Sequence, residues 1–442
     1  MSRSGNTKWV LLSLLFVSTV INYLDRQALS ILATTIQADL GMTDLEYARV
    51  VQVFLFAYAA AYVMAGRVTD WLGARVALLL FVGWWSLANI ATGFVRSAVE
   101  LGAARFALGL GEPGNYTVGT KVVSEQFPAK QRGLALGLYT AGAMIGATLA
   151  PPLIGGIALH YGWRSAFWIT GVAGLVWMIA WWWFYPRPGR ARAVAPAPVT
   201  AAATTAEAVA TPAIETPVAA VPATSMKGVW GRLARDRTVW ALVASRAVAD
   251  PVWYFYLFWF PKYLGDARGM GLAAIASLAW IVYVAADIGS VGGGMISGRL
   301  VKRGMNPVRA RLTTMVGAAC LAPVGLLVAF HPPIPLLLGL ACLVTFAHLT
   351  YQINLTAMTV DLFPSRYIAS VAGLVGCGSA LGGMVSAQVV GHLVADGNFD
   401  RAFVLMAFLH PIAVTLAWTA LKMARRSRMT LIGPDAEAVA AG

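Results

Sequence analysis

The chain has 442 residues, 59% of them hydrophobic and only 12% charged, and its mean hydropathy is +0.69. No water-soluble fold of this length can cover so much apolar surface, so the composition excludes a soluble globular protein and requires a bilayer around the chain. A net charge of +14 would suit a nucleic-acid partner only in a soluble chain, and the three cysteines, Cys320, Cys342 and Cys377, lie in apolar stretches without metal-ligand spacing, which implies neither a disulfide framework nor a metal site.

Twelve apolar stretches approach the roughly 20 residues that cross a bilayer: 9–34, 48–66, 74–95, 100–124, 132–158, 164–185, 238–264, 273–298, 309–330, 334–359, 366–393 and 401–422. Lipid offers no partner to an open backbone, so each is expected to be a helix and the fold an all-α integral membrane protein. Residues 9–34 lack a small-residue cleavage site and end in a charged pair, so the first span is expected to be retained. Placing both termini in the cytoplasm gathers most of the basic residues inside, among them Arg67, Lys130, Arg132, Arg299 and Arg309, as the positive-inside rule favours.

The hydrophobic pattern breaks at residues 186–236, an Ala-, Pro- and Thr-rich tract flanked by basic residues, which cannot build a packed core and reads as a flexible cytoplasmic linker. The expected organisation is a six-helix bundle over 1–185, the linker, a second six-helix bundle over 237–424 and a cytoplasmic tail over 425–442. The two halves match each other in places. SEQFPAKQRGLALGL (124–138) aligns with VDLFPSRYIASVAGL (360–374), so Gly137, Gly142, Gly146 and Gly155 meet Gly373, Gly378, Gly382 and Gly391 without a gap. Two pseudo-symmetric bundles with a site between them at the midplane describe a major secondary-transporter architecture.

Ionisable residues inside the spans are the strongest functional signal, because charge in hydrocarbon is costly and survives where it faces a cavity. Span 1 carries INYLDRQ (21–27) with Asp25 and Arg26, and span 4 carries Arg105 and Glu112, seven residues and about two turns apart on one face. A guanidinium stays charged and grips a carboxylate with two hydrogen bonds, so Arg26 suits an organic acid. The alternative is that the four charges only neutralise one another and fix helix packing. Lys121 with Glu125, and Arg246 with Asp250, stand four apart and are expected to pair locally. Asp287 is either a second proton site or, as favoured, a partner of the following loop or of a helix end. The glycine-rich segment GLYTAGAMIGATLAPPLIGG of span 5 is read as close packing, although it also resembles an antiporter pattern. No Walker loop, catalytic triad or metal cluster is present, so the chain is not expected to be an enzyme or to use a cofactor beyond an ion gradient.

GRVTDWLGARVAL (66–78) resembles the loop between the second and third helices of the major facilitator superfamily, although Trp71 stands where a basic residue is usual. NYLDR in span 1 and RFALGLGEPGNY (105–116) in span 4 are similar to the anion:cation symporter branch, and DPVWYFYLFWFPKYL (250–264) is most like its hexuronate members. The resemblance implies that Asp25 and Glu112 carry protons, that Arg26 anchors an anionic substrate and that movement of Arg105 helps to switch them. It also implies gating roles for Asp70 and Arg75, and Asp361 at the matching loop edge joins them, with helix capping as the alternative. Sugar hydroxyls would need further polar partners, for which Tyr23, Tyr58, Asn115, Tyr139, Tyr256, His348, Gln352, Asn354, Thr356 and Ser379 are candidates, interhelical hydrogen bonding being the alternative for each. The expected function is proton-coupled import of a sugar acid, such as glucuronate or galacturonate, across a bacterial inner membrane. The alternatives are another organic anion, such as an aldonate or an aromatic acid, or a drug:proton antiporter. The expected partners are a small anionic substrate, protons and lipid, with no nucleic acid, and the carrier is expected to work as a monomer.

Overall fold

The computed structural model describes residues 3–127, 129–185, 233–363, 365–395 and 398–426, and every regular element among them is helical. In chain order these are α1 (Arg3–Ile31), α2 (Ala33–Leu40), α3 (Asp44–Thr92), α4 (Ala98–Gly111), α5 (Pro113–Gln126), α6 (Ala129–Tyr161) and α7 (Trp163–Phe184). After the linker come α8 (Arg237–Phe258), α9 (Phe260–Asp266), α10 (Leu272–Leu278), α11 (Trp280–Lys302), α12 (Pro307–Leu321), a 3-10 segment (Ala322–Phe330), α13 (Ile334–Leu362), α14 (Ser365–Val394) and α15 (Asp400–Arg426). Most of the expected linker, residues 186–232, and the tail beyond residue 426 lie outside the described residues.

Nine helical stretches among the described residues are long and apolar enough to cross a membrane. The three other expected spans are helical too: 48–66 lies in the first part of α3, 100–124 runs across α4 and α5, and 238–264 runs across α8 and α9. The last two interrupt their apolar runs with the charged residues singled out above, Arg105 and Glu112 in one and Arg246 and Asp250 in the other. Helix starts follow local chemistry. Thr43 and Glu46 form a reciprocal capping box on α3, and the Asn306 side chain accepts from the amides of Val308 and Arg309 with Pro307 at the first helical position of α12. Spans 2 and 3, expected as separate helices, run on as α3 and part only at Gly73, whose φ of 72° is a left-handed conformation that needs no Cβ.

The glycine register read from the sequence marks where helices touch. A Cβ on Gly142 or Gly146 of α6 would meet Phe16 O at 2.7 Å or Val20 O at 2.8 Å of α1, and one on Gly378 or Gly382 of α14 would meet Val243 O at 2.7 Å or Ala247 O at 2.1 Å of α8. Gly155 and Gly391 serve contact between the halves: their Cβ positions fall 2.4 Å from the Cβ of Ala276 in α10 and of Ala48 in α3. Gly137 and Gly373, at the other ends of α6 and α14, have nothing within 4 Å. The halves therefore meet at the end remote from the termini. Tyr47 Oη donates there to Phe258 O at 2.8 Å, and Lys262 Nζ sits 2.8 Å from Asp44 and pairs with Asp266 as well.

Candidate functional site

Glu112 stands at the junction of α4 and α5 with helical dihedrals, followed by Pro113, which has no N–H for the carbonyl of Gly109. Gly109 itself lies against α3, where a Cβ would meet Phe54 O at 2.6 Å. Arg26 Nε and Nη2 donate to Glu112 Oε2 at 2.9 and 2.5 Å, while Glu112 Oε1 is buried without a partner. The guanidinium carbon of Arg26 lies 4.9 Å from the Tyr23 ring centre and 4.7 Å from that of Tyr58, so the cation is held between two π-faces. The guanidinium is also within side-chain hydrogen-bonding reach of Tyr23 and Tyr58. A flat fork is thus fixed by two rings and one carboxylate oxygen.

Asp25, one residue back, points away into the half-bundle. Its Oδ1 accepts from Asn89 Nδ2 at 2.7 Å, and Oδ2 is buried without a partner. Asn89 also donates to Thr170 Oγ1 at 2.8 Å and to Phe167 O at 3.2 Å, which fixes its side chain. Arg105 departs from the expected two-acid, two-base square. It makes an ion pair with neither acid: Nη1 donates to the main-chain oxygen of Asp25 at 3.2 Å, its carbon lies 4.9 Å from the Phe167 ring centre, and Nε and Nη2 are buried without partners. The seven-residue spacing put Arg105 and Glu112 on one face, yet the competitor for Glu112 is Arg26. The structure thus has one formed pair and three buried polar groups waiting for partners.

Several of the hydroxyl-recognition candidates are spent elsewhere. Asn115 accepts from Ser18 Oγ and donates to Thr19 Oγ1, both at 2.9 Å, and Tyr139 Oη donates to Asn115 O at 2.8 Å, so both residues lock α5 and α6 onto α1. Asn354 Nδ2 donates to the carbonyls of Gly293 and Thr350. Thr356 is on the exposed side of α13, bonded to its own helix at Gln352 O, and Tyr256 is buried among Phe255 and Phe260. Tyr254, two residues before it, lies within electrostatic reach of Arg26, Tyr58 and Asp250 and shares a hydrogen bond with Ser379 at 3.4 Å. Gln352 is partly exposed, and its side chain has no hydrogen bond among the described residues.

The second half holds its own charged cluster. Arg246 Nε donates to Asp250 Oδ2 at 2.5 Å within α8, the local pairing expected, and Ser379 Oγ of α14 donates to the same oxygen. His348 is buried beside it, stacked on Trp253 and bonded through Nδ1 to His410 Nε2 at 3.1 Å. Asp287 differs from expectation: its Oδ2 accepts from Thr148 Oγ1 of α6 at 3.4 Å, a bond across the two halves, because α11 packs on α6. Lys121 donates to Thr69 O and Glu125 accepts from Tyr185 Oη. Of the gating candidates, Arg75 donates to Trp182 O at 2.8 Å under the Trp182 ring, Asp361 pairs with Arg311 at 3.3 Å, and the side chain of Asp70 lies outside the described residues. The cross-half lock of Lys262, Asp44 and Tyr47 was not anticipated. Tyr47 and Lys262 carry no sequence pattern that announces a contact between the halves.

Long apolar helices enclosing buried, partly unsatisfied charge define a multi-pass membrane transporter. Residues 15–387 match the model of the Major Facilitator Superfamily, and the chain belongs to that family. It is similar to the hexuronate transporter of Escherichia coli (strain K12), at 28% identity over 425 residues that cover 96% of both chains. It is also similar to the galacturonate transporter of Dickeya chrysanthemi, at 31% identity over 294 residues, 66% of this chain and 82% of that one. In fold it is similar to a bacterial homolog of the human lysosomal transporter Spinster in an inward-facing and unoccupied conformation, with a TM-score of 0.72, 16% identity and coverage of 98% of this chain and 100% of that one.

Proposed function

We propose that this chain is a proton-coupled symporter that carries a sugar acid, a hexuronate such as galacturonate or glucuronate, across a bacterial inner membrane, with both termini in the cytoplasm. The observation that carries the reading is Arg26: a guanidinium between Tyr23 and Tyr58, paired to Glu112. An incoming carboxylate takes the same fork that now holds Glu112. Glu112 then loses its counter-ion in a dry site, where an uncompensated charge is costly, and a proton restores neutrality. Substrate and proton thus enter together. Asp25, with Oδ2 free and Oδ1 held by Asn89, is the second acid in line, next to Arg105. With the termini cytoplasmic, contact at the remote end corresponds to an inward-facing carrier, and the hexuronate and galacturonate relatives support the substrate class.

Purified protein in proteoliposomes provides the test. Inward proton gradients should drive saturable accumulation of galacturonate or glucuronate, and a collapsed gradient should leave only exchange. Flux of lipophilic cations driven by an outward gradient, without sugar-acid uptake, would overturn the reading. Saturation by galactonate alone would move the substrate to an aldonate.

A further inference from the structure

The second half contains a buried, titratable cluster for which the mechanism above has no use. His348 of α13 and His410 of α15 are both fully buried and share one hydrogen bond, Nδ1 to Nε2, at 3.1 Å. The remaining nitrogen of each ring, Nε2 of His348 and Nδ1 of His410, has no partner. His348 Nε2 faces Asp250 Oδ1 at 3.9 Å, and that oxygen is itself buried and unpartnered. Asp250 Oδ2 is fully engaged by Arg246 and Ser379. The other titratable groups around the rings are Tyr351 of α13, whose hydroxyl is bonded to Ser245 and whose ring lies edge-on to His410, and Tyr283 of α11 and Tyr254 of α8 at the edge of the cluster. Arg246 is the cation paired to Asp250, Arg26 lies within electrostatic reach of Tyr254 at the cluster's edge, and the terminal nitrogens of Arg246 have no hydrogen bond among the described residues.

We propose that Asp250, His348 and His410 form a second proton-binding site, filled when Arg246 turns from Asp250 towards an anionic group in the cavity. Losing the guanidinium leaves Asp250 as an unpaired buried carboxylate, and the ring already facing it supplies the replacement charge. One proton from the aqueous cavity adds to His348, which then donates from Nε2 to Asp250 Oδ1 and from Nδ1 to His410 Nε2. Both rings keep their places in the two states, since the His348–His410 bond persists and the contact of 3.9 Å shortens. A purely structural pair would instead stay neutral throughout. The trigger rests on the anion transport proposed above, but the site itself is read from the ring geometry and can be tested without substrate.

The chain has five histidines, so 15N-histidine labelling in detergent gives a spectrum simple enough to assign with His348→Gln and His410→Gln. In ligand-free wild-type protein at pH 7.5 both buried rings should be neutral. Arg246→Gln should convert one ring to the doubly protonated form with no ligand present, and saturating galacturonate should do the same in wild-type protein. Proton uptake per substrate in proteoliposomes should fall by about one in His348→Gln. Neutral rings in Arg246→Gln, together with neutral rings in galacturonate-stabilised wild-type protein, overturn the site while leaving sugar-acid symport standing. Failure of galacturonate to bind, with a protonated ring in Arg246→Gln, retains the site and overturns the substrate.

Discussion

In the first half Arg26 reaches Glu112 across 86 residues of chain, from α1 to the α4–α5 junction, whereas in the second half Arg246 reaches Asp250 one turn along α8. The two pairs have the same 2.5 Å contact, but they answer to different things. A pair between helices depends on where those helices stand, so sliding or loading of the bundle can break it. A pair within one turn travels with its helix and parts only when the side chains turn. The surroundings follow this division: Arg26 is fixed by aromatic faces, with single carboxylate oxygens nearby that lack partners, while Asp250 has two buried imidazoles beside it. The first arrangement suits an anchor that exchanges its carboxylate, the second a counter-charge held ready.

The largest effect expected follows from removing the anchor. Arg26→Ala should abolish sugar-acid binding and leave Glu112 unpaired, a loss of about 3–5 kcal/mol if the residue stays charged. Arg26→Lys keeps the charge but loses the fork, so affinity in a thermal-shift titration should drop by roughly tenfold or more. Wild-type affinity in the alanine variant would remove Arg26 from the substrate path. Next come the acids. Glu112→Gln and Asp25→Asn should lose gradient-driven accumulation while retaining exchange, and a carrier that still accumulates with both replaced does not use them for coupling. Arg246→Ala should affect binding less than Arg26→Ala, which sharpens the contrast between the halves. Equal losses would erase it.

Those residues could be found in the sequence because charge is rare in a membrane and each instance demands a reason. The long apolar runs made the helical fold legible, since a span of about 20 residues satisfies its own backbone in lipid as a helix. Glycine pairs were readable too, because only a residue without a Cβ allows the approach of α6 to α1 and of α14 to α8. Partners were harder. Asp25 gave no hint of Asn89, which comes from another helix 64 residues on, and Arg105 looked like a partner for Glu112 on spacing alone. Tyr254 and Tyr256 differ by two positions, hence by about 200° around a helix, and sequence offered no way to fix which side faced inward. His410 sits in an ordinary apolar span, and its meaning comes only from His348 opposite.

The lock between the halves gives a prediction of intermediate size. Lys262 is 3% exposed and sits between Asp44 of the first half and Asp266 of its own. Lys262→Met removes the cation and leaves two carboxylates together, so the remote end should loosen and the population should shift away from this conformation. Cysteines placed at positions 48 and 391, where Ala48 meets Gly391, should become more reactive towards a membrane-impermeant thiol reagent in the Lys262→Met background. Unchanged reactivity would show that packing of α14 on α3 closes this end without the ion pair. Asp44→Asn alone should produce a smaller change, because Lys262 keeps Asp266.

The smallest effect expected is at the capping box that begins α3, close to the same lock. Thr43 donates to Glu46 Oε2 from its amide at 2.8 Å and its hydroxyl at 2.9 Å, and these bonds hold the Glu46 carboxyl below its ordinary value. A depressed acid contributes stability above its unfolded value of about 4.3 and loses it as pH falls through the lower folded one. The cap should therefore be intact at neutral pH and weaken only in acid, and its solvent exposure keeps the charge contribution small. Thr43→Ala should cost about 1 kcal/mol at pH 7, which is no more than about 2 °C of melting temperature in a chain this long. Glu46→Gln should reproduce part of that loss at pH 7 and converge on wild type in acid below the lowered folded value, where both side chains are neutral. A difference that persisted unchanged into acid would mean that the side chain acts through packing and not through its charge. Since Asp44 follows the cap directly and pairs with Lys262, a Thr43→Ala effect on thiol reactivity at position 48 would tie helix capping to closure of the remote end.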